Sequence, residues 1–193
     1  MPSRSKLPPT FTYREALELG YSKRAIYALR DAGEIELVSR GMYRRHDATI
    51  EVDEDLLEIA QRAPMATLCL STALARHNLT DEISSAPDVA LPRGTRTPAI
   101  RARVRWHHFD PRTFDIGRER LALDARNWIG LYSAERTIVD AFRLRGLEGR
   151  DVANEALRRW LRRPGSQPSS LLALASRFQR ATTPLRQALE VLL

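Results

Sequence analysis

The sequence predicts an α+β protein whose two units meet near residue 50. Within the first 45 residues, two short helical segments precede two short alternating segments. The acidic run 51–55 then marks a change of composition, and helical and strand-like segments are mixed after it. The chain has 193 residues, of which 43% are hydrophobic and 28% charged, a globular composition sufficient for one or two domains. We therefore expect domains at residues 1–49 and 50–193.

Two helices are predicted at the start of the chain. Thr12 and Glu15 have the spacing of a capping box, in which the hydroxyl accepts a backbone N–H and the carboxylate reaches back to the cap. Gly20 suits a left-handed end to this first helix. Ser22 then follows a tight turn and is suited to cap a second helix that runs to about Ala32.

The second helix is predicted to have an apolar and a basic side. Ile26 and Leu29 are three residues apart and are expected to face inward. The opposite side carries Lys23, Arg24, Tyr27 and Arg30.

A β-hairpin follows, with strands at residues 34–38 and 42–45 and a turn at 39–41. Two helices, a three-residue turn and a basic hairpin occur in the order of a winged helix-turn-helix, so the unit is expected to bind double-stranded DNA. The candidate DNA contacts are Ser22, Lys23, Arg24, Tyr27 and Arg30 on the helix, and Arg40, Arg44 and Arg45 on the wing. The alternative is a pair of hairpins that only pack together, with solvated cations.

The charge of the chain also favours a polyanionic partner. The net charge is +7, and 29 of the 31 basic residues are arginine. A basic surface attracts phosphates and releases counterions when it binds them. The excess charge is spread over both predicted units, and the alternative is a basic surface that binds nothing.

The second unit is predicted to be a mixed α/β domain. Its expected helices lie at about 51–62, 71–77, 134–140, 150–163, 169–179 and 184–193, and its expected strands at 88–91, 100–106, 121–123 and 128–132. In the strand at 100–106, Arg101, Arg103 and Arg105 share one face about 6.8 Å apart, a spacing that phosphates could follow as a second basic surface. The alternative is a charged strand that resists edge-to-edge aggregation.

Several stretches resemble the AbiEi-type antitoxins of type IV toxin–antitoxin systems, which are linked to abortive phage infection. The resembling stretches are Ala16-Leu17-x-x-Gly20-x-Ser22-x-x-Ala25-Ile26-Tyr27-x-Leu29, Gly33-x-Ile35, Arg40-Gly41-Met42-Tyr43, Ser71-Thr72-Ala73-Leu74-x-x-His77-x-Leu79-Thr80, Leu91-Pro92-Arg93-Gly94 and Glu135-Arg136-Thr137-x-x-Asp140. Two features depart from the family pattern. The family's usual helix before the helix pair is missing, so the domain is expected to be pared down or truncated at its start, and Asn78 replaces a more usual glycine.

The resemblance implies a transcriptional regulator that binds inverted repeats upstream of its own operon and represses it. It also implies an antitoxin-like C-terminal domain that counteracts a nucleotidyltransferase-type toxin without forming a stable complex with it.

The residues themselves predict no catalytic, cofactor or metal site. Metal-dependent nucleotidyl transfer needs carboxylates after a Gly-Ser turn, and only Glu190 follows Gly165 and Ser166. His107 and His108 are adjacent on a predicted strand and so point to opposite faces. We therefore expect a protein that is not an enzyme. A nuclease-like enzyme with a winged-helix targeting module, and a protein-binding adaptor, remain the alternatives.

Other polar residues are expected to serve the fold. Cys69 stands alone in an apolar run and is predicted to be a buried small residue. His77 is expected to form a hydrogen bond within the fold, and Arg136 to pair with Asp140 along one helix, although Arg136 could also bind a partner. The chain has neither a signal peptide nor an apolar run of ~18 residues, so we expect a cytoplasmic protein with no membrane contact.

Overall fold

Two helices and a three-stranded antiparallel sheet form the N-terminal part. The computed structural model describes residues 7–8, 10–39, 41–45, 53–82, 84–124, 126–144, 146 and 150–193. The N-terminal elements are β1 (Thr10–Thr12), α1 (Tyr13–Glu18), α2 (Lys23–Asp31), β2 (Ile35–Ser39) and β3 (Met42–Arg45). The strand order is β1-β3-β2, so the β2–β3 hairpin is extended on its outer side by β1, a strand too short for the sequence pattern to predict.

The predicted helix caps are confirmed. Thr12 Oγ1 accepts the backbone N–H of Glu15 at 3.2 Å, and the Glu15 carboxylate accepts the backbone N–H of Thr12 at 2.7 Å. Gly20 has a φ of +88° after the end of α1. Ser22 Oγ accepts the backbone N–H of Ala25 at 3.2 Å and caps α2. The turn between the helices is therefore fixed by local hydrogen bonds.

A small apolar core joins these helices to the sheet. Ile26 is fully buried, as predicted, whereas Leu29 is partly buried. The aromatic rings of Phe11 and Tyr43 stack at 5.8 Å between their centroids and bridge β1 and β3. The other buried members of the cluster are Leu7, Ala16, Tyr21 and Ile35.

The C-terminal part is built on a mixed five-stranded sheet with the strand order β6-β5-β4-β8-β7. Its strands are β4 (Thr67–Leu68), β5 (Asp88–Pro92), β6 (Arg105–Phe109), β7 (Arg118–Ala122) and β8 (Trp128–Tyr132). The pairs β4–β8 and β5–β6 are parallel, and the pairs β4–β5 and β7–β8 are antiparallel. Its helices are α3 (Glu54–Arg62), α4 (Leu70–Arg76), α5 (Pro111–Phe114), α6 (Ala134–Arg143), α7 (Arg150–Leu161), α8 (Pro168–Ala175) and α9 (Thr182–Leu192).

Two apolar clusters hold these elements together. One lies between α3 and the sheet and includes Leu56, Leu68 and Ile129. The other surrounds α6 and includes residues of α7, α8 and α9, among them Ile138 and Trp160. Asn78 adopts a φ of +54° after α4, the left-handed conformation expected for the residue at that position.

The strand predicted over 100–106 is wrong in its first five residues. β6 begins at Arg105, opposite Asp88, the first residue of its parallel partner β5. Residues before Arg105 therefore have no strand beside them, and the chain ahead of β5 contains Pro87, which has no N–H to donate. The backbone N–H groups of Arg101 and Ala102 are instead within 3.1 Å and 3.3 Å of one carboxylate oxygen of Glu58.

The N-terminal sheet packs on the C-terminal part. Met42 in β3 and Leu57 in α3 are both buried and form a cluster against which Leu123 packs. The guanidinium of Arg44 also pairs with the carboxylate of Glu54. The boundary predicted near residue 50 lies outside the described residues.

Within the described ranges, no helix has the length and apolar character that crossing a membrane would require.

Candidate nucleic-acid interface

The exposed start of α2 carries three of the predicted contact residues. Ser22, Lys23 and Arg24 are all exposed, while Ile26 anchors the opposite side of the helix in the core. The cap formed by Ser22 fixes the first turn, so the two cations project from an ordered backbone. In helix-turn-helix proteins, the N-terminal residues of the recognition helix contact base edges in the major groove.

Tyr27 joins two cations into a stripe along α2. Lys23 Nζ lies 5.8 Å from the centroid of the Tyr27 ring, and the guanidinium carbon of Arg30 lies 4.8 Å from it. These side chains are four and three residues apart, so they occupy one side of the helix. Arg30 also forms an exposed ion pair of 3.0 Å with Asp31. The ring therefore holds both cations over the same surface.

Arg24 projects to the other flank of α2, where small side chains leave the helix uncovered. A cleft of about 660 Å³ lies there, and its lining includes Arg24, Ala25, Ala28 and Ala32. Alanines on this flank leave room for another molecule to approach the helix backbone. Arg24 is thus exposed at the edge of an open flank of α2, where a DNA duplex could approach the helix.

The predicted wing residues are engaged by protein groups. In Arg44, Nη2 lies 2.6 Å from Oε1 of Glu36 and Nη1 contacts Glu54, and 28% of the side chain is exposed. Glu36 faces Arg44 directly across the β2–β3 ladder, a relationship that the hairpin register would have predicted. Arg45 Nη1 donates to the carbonyl of Leu7 at 2.7 Å. Arg40 lies outside the described residues.

The predicted second basic surface is not built as one strand face. Arg101 and Arg103 are exposed in the segment before β6, and only Arg105 belongs to the strand. The Arg105 guanidinium donates to Ser71 Oγ at 3.0 Å and lies 2.5 Å from the Asp88 carboxylate. The regular spacing of three arginines is therefore lost, and one of them serves a buried carboxylate.

Asp88 is the centre of a buried polar cluster that the sequence did not reveal. Its carboxylate is fully buried, with Ser71 Oγ at 2.6 Å and Nε2 of His107 at 2.8 Å. Burial by itself would raise the pKa of Asp88, but the hydrogen bonds from His107, Arg105 and Ser71 hold it below its ordinary value. The cluster joins α4 to β5 and β6.

The three histidines that the structure describes each have a protein partner. His107 binds Asp88, whereas Nε2 of the exposed His108 lies 3.3 Å from the carbonyl of Thr95. His77 Nε2 lies 2.7 Å from the carbonyl of Tyr132, which is the hydrogen bond within the fold that we expected. In the part of the chain that the structure describes, no three His, Cys, Asp or Glu side chains are grouped to hold a metal ion. Cys69 is buried, as predicted.

The predicted pair of Arg136 and Asp140 is confirmed and is fully buried. Arg136 Nε donates to Asp140 Oδ2 at 2.8 Å. Arg136 Nη1 also donates to the carbonyls of Thr113 and Ile116, each at 2.7 Å. These carbonyl bonds tie α6 to the segment around α5, a connection that spacing along one helix could not show.

Residues 3–46 match the family described as "Transcriptional regulator, AbiEi antitoxin". The match confirms the resemblance over the N-terminal unit. No curated protein has a significant sequence match to the chain. Among solved structures, the chain is similar to the crystal structure of the RV2827C protein from Mycobacterium tuberculosis, with a TM-score of 0.52 and 18% identity over 96% of this chain and 76% of that one. At this identity, the similarity concerns the fold.

Proposed function

Because residues 3–46 match the AbiEi antitoxin family of transcriptional regulators, we propose that the protein is a DNA-binding regulator of this type. Its domains are residues 1–49, a winged helix-turn-helix, and residues 50–193, an antitoxin-like α/β domain. The observation that carries the proposal is the exposed basic surface of α2, where Lys23, Tyr27 and Arg30 form a stripe and Arg24 lies on the adjoining flank. Helix α2 is the recognition helix.

The proposed contacts divide between bases and phosphates. Ser22, Lys23 and Arg24 at the start of α2 lie where a recognition helix approaches base edges. Tyr27 and Arg30, further along the helix, approach the phosphate backbone beside the groove. Most hydrogen bonds between proteins and DNA go to phosphate and sugar, and these set the register in which bases are read.

Fewer arginines of the wing are available to bind phosphate than the sequence suggested. Two carboxylates already pair with Arg44, so we assign it to holding the hairpin against α3 rather than to binding phosphate. Arg45 already donates to the carbonyl of Leu7, so we assign it a smaller share of any phosphate binding than the sequence suggested. Arg40 is a proposed wing contact from the sequence alone.

The regulatory role proposed is repression of the protein's own operon through inverted repeats in its promoter, in the cytoplasm. The C-terminal domain is proposed to counteract a nucleotidyltransferase-type toxin without forming a stable complex with it. Growth rescue by residues 50–193 does not test this, because Met42 and Leu57 form one buried cluster across the boundary. Rescue should be measured with the full chain.

A mobility-shift titration against the protein's own upstream DNA tests the proposal. The wild-type protein is compared at two salt concentrations with Arg24→Ala and with a control, Arg158→Ala, which removes an exposed arginine from α7. We expect selective binding that weakens with salt, a loss of about 1–3 kcal/mol in Arg24→Ala if it reads a base, and little change in the control. Equal binding by wild type and Arg24→Ala would contradict the assignment of α2.

A further inference from the structure

A second basic cleft lies in the C-terminal part, away from α2 and the wing. It has a volume of about 510 Å³ and forms where residues around β6 and α5 face the end of α6 and the segment after α8. Arg93, Arg112, Arg143 and Arg177 line it, together with the rings of Phe109 and Phe178. The cleft is within the ~300–1,000 Å³ range of small-molecule sites.

The charge at the cleft is strongly unbalanced. Among the lining residues that the structure describes, Asp110 is the only carboxylate, against four arginines. Hydrogen bonds from Arg112, with a smaller contribution from the nearby charge of Arg93, lower the pKa of Asp110 to about 2, so Asp110 is ionised and offsets one of the four positive charges. Arg93 and Arg177 are exposed and form no side-chain hydrogen bond or ion pair with any part of the chain that the structure describes. Two guanidinium groups are thus available to an anion.

Positive charge is also in excess at the wall of the cleft that α6 forms, where Arg143 lines the cleft. Asp140 is fully buried and serves two arginines, with Arg136 Nε at 2.8 Å from one oxygen and Arg143 Nη2 at 2.8 Å from the other. One carboxylate cannot neutralise two guanidinium groups. Arg143 lines the cleft and is 22% exposed, so the uncompensated charge is close to the space that a ligand would occupy.

Arg136 adds an unsatisfied donor to this wall. Its Nη2 is buried and has no hydrogen-bond partner among the described residues, whereas Nε and Nη1 are both bonded. The guanidinium carbon lies 4.2 Å from the centroid of the Phe178 ring and 5.8 Å from that of Phe109. A buried polar group without a partner is rare and calls for an acceptor. The guanidinium that carries this donor packs against both of the rings that line the cleft.

We propose that this cleft binds a small phosphorylated molecule through a diphosphate or triphosphate group. Guanidinium groups bind phosphate oxygens with two parallel hydrogen bonds, and several arginines around one concavity suit a group with several negative charges. The concave shape suits a small ligand better than the convex backbone of a DNA duplex. The proposal does not depend on DNA binding by α2, because all the described lining residues, from Arg93 to Gln179, belong to the C-terminal part.

Isothermal titration calorimetry with inorganic pyrophosphate tests the proposal on the full chain. The variants are Arg93→Gln and Arg177→Gln, which change exposed side chains and leave the buried pair intact, and the control is Arg158→Gln on α7. We expect one saturable site in the wild type, about tenfold weaker binding in each cleft variant, and a change of less than about twofold in the control. Thermal unfolding of each variant confirms that it is folded.

Three results would overturn the proposal. One is the absence of a saturable signal with pyrophosphate. Another is an equal loss of affinity in the cleft variants and the control, which would indicate general attraction to a basic surface. The third is a loss of affinity for duplex DNA in the cleft variants without any pyrophosphate binding, which would assign the cleft to the DNA backbone. Full DNA binding by these variants, with weakened pyrophosphate binding, would support a small ligand.

Discussion

Arg136 and Asp140 form an ion pair of 2.8 Å in which neither side chain is exposed to solvent. The two residues are one helical turn apart in α6, and Arg136 also reaches the carbonyls of Thr113 and Ile116. Removing two charges from water is costly, and their mutual attraction offsets that cost only when further hydrogen bonds complete the site. The pair therefore couples the position of α6 to the chain around α5.

Removal of the carboxylate from this pair is expected to destabilise the protein strongly. In Asp140→Asn, the Arg136 guanidinium stays buried with no counter-charge, and Arg143 loses the same partner. A broken buried pair typically costs about 3–5 kcal/mol in the free energy of unfolding. Urea unfolding monitored by circular dichroism measures the difference.

Asp110→Asn is the matched control, because it removes a carboxylate whose arginine partner is 84% exposed. We expect it to lower the unfolding free energy far less than Asp140→Asn does, because solvent screens the exposed pair and asparagine can still cap α5. A similar small effect of Asp140→Asn would show that the buried pair does not stabilise the fold.

Stability is expected to fall in acid partly through Asp88. The pKa of this carboxyl is lowered in the folded protein, because hydrogen bonds from His107, Arg105 and Ser71 outweigh the effect of burial. The resulting stabilisation is complete above the unfolded pKa of about 3.9 and is lost as the pH falls through the folded pKa. The wild type is expected to be more stable than Asp88→Asn at neutral pH, and the difference should shrink below about pH 4.

Urea titrations of both proteins at neutral pH and at several acidic values check this dependence. Because Asp88→Asn also removes hydrogen bonds, the informative quantity is the change of the difference with pH, not its size at one pH. A difference that is constant from neutral pH to the acidic end would mean that the pKa of Asp88 is the same in the folded and unfolded states.

The local elements of the N-terminal part could be predicted from the sequence because their signals are local. The capping box of Thr12 and Glu15 and the cap at Ser22 depend on residues three apart, and both are present. The short strand β1 could not be predicted, because its three residues are held by β3, thirty or more residues away in the chain.

Predictions of the site failed where the position of a residue depends on a partner that is distant in the chain. The alternation of apolar and basic residues over 100–106 resembles that of a strand. A strand also requires a neighbouring strand, however, and β5 begins only opposite Arg105. Of the two partners of Arg44, one could have been predicted from the sequence and the other could not. Glu36 follows from the hairpin register, whereas Glu54 comes from a helix that the sequence pattern did not place beside the wing. The cleft of four arginines draws on residues from 93 to 177, so no window of sequence contains it.

A methyl group at Gly130 is expected to disrupt the centre of the sheet. A Cβ at this position would lie 2.4 Å from Thr67 Oγ1, 2.8 Å from Arg118 Nε and 2.9 Å from the carbonyl oxygen of Ala66. These atoms come from β4, from the residue before it and from β7, the two strands that flank β8, and the backbone carbonyl cannot rotate away. We expect Gly130→Ala to lower the unfolding free energy by about 1–3 kcal/mol, as overpacked core substitutions do.

Gly146→Ala is the comparison for this substitution, because a Cβ there would meet no atom of the described residues within 4 Å. Thermal unfolding of the two variants side by side measures the contrast. If Gly130→Ala melts at the wild-type temperature, the approach of Thr67 and Arg118 to this glycine is not close in solution.

Arg44 and Arg24 are expected to differ in what their substitution changes. Arg44 pairs with Glu36 and Glu54, so Arg44→Gln should cost about 0.2–1 kcal/mol in unfolding free energy and leave the salt dependence of DNA binding nearly unchanged. Arg24 is exposed on α2, so Arg24→Gln should leave stability unchanged and weaken DNA binding. If Arg24 binds a phosphate, the slope of log affinity against log salt should fall by about one.

Titrations of both variants with the upstream DNA at four salt concentrations, together with urea unfolding, separate the two effects. A reduction of the salt slope in Arg44→Gln equal to that in Arg24→Gln would mean that Arg44 releases its carboxylates and binds phosphate. In that case Glu36→Gln should strengthen DNA binding, because it removes a carboxylate that competes with phosphate for the same guanidinium. Unchanged DNA binding in Glu36→Gln, with a loss of stability, would instead support the role of Arg44 in holding the wing against α3.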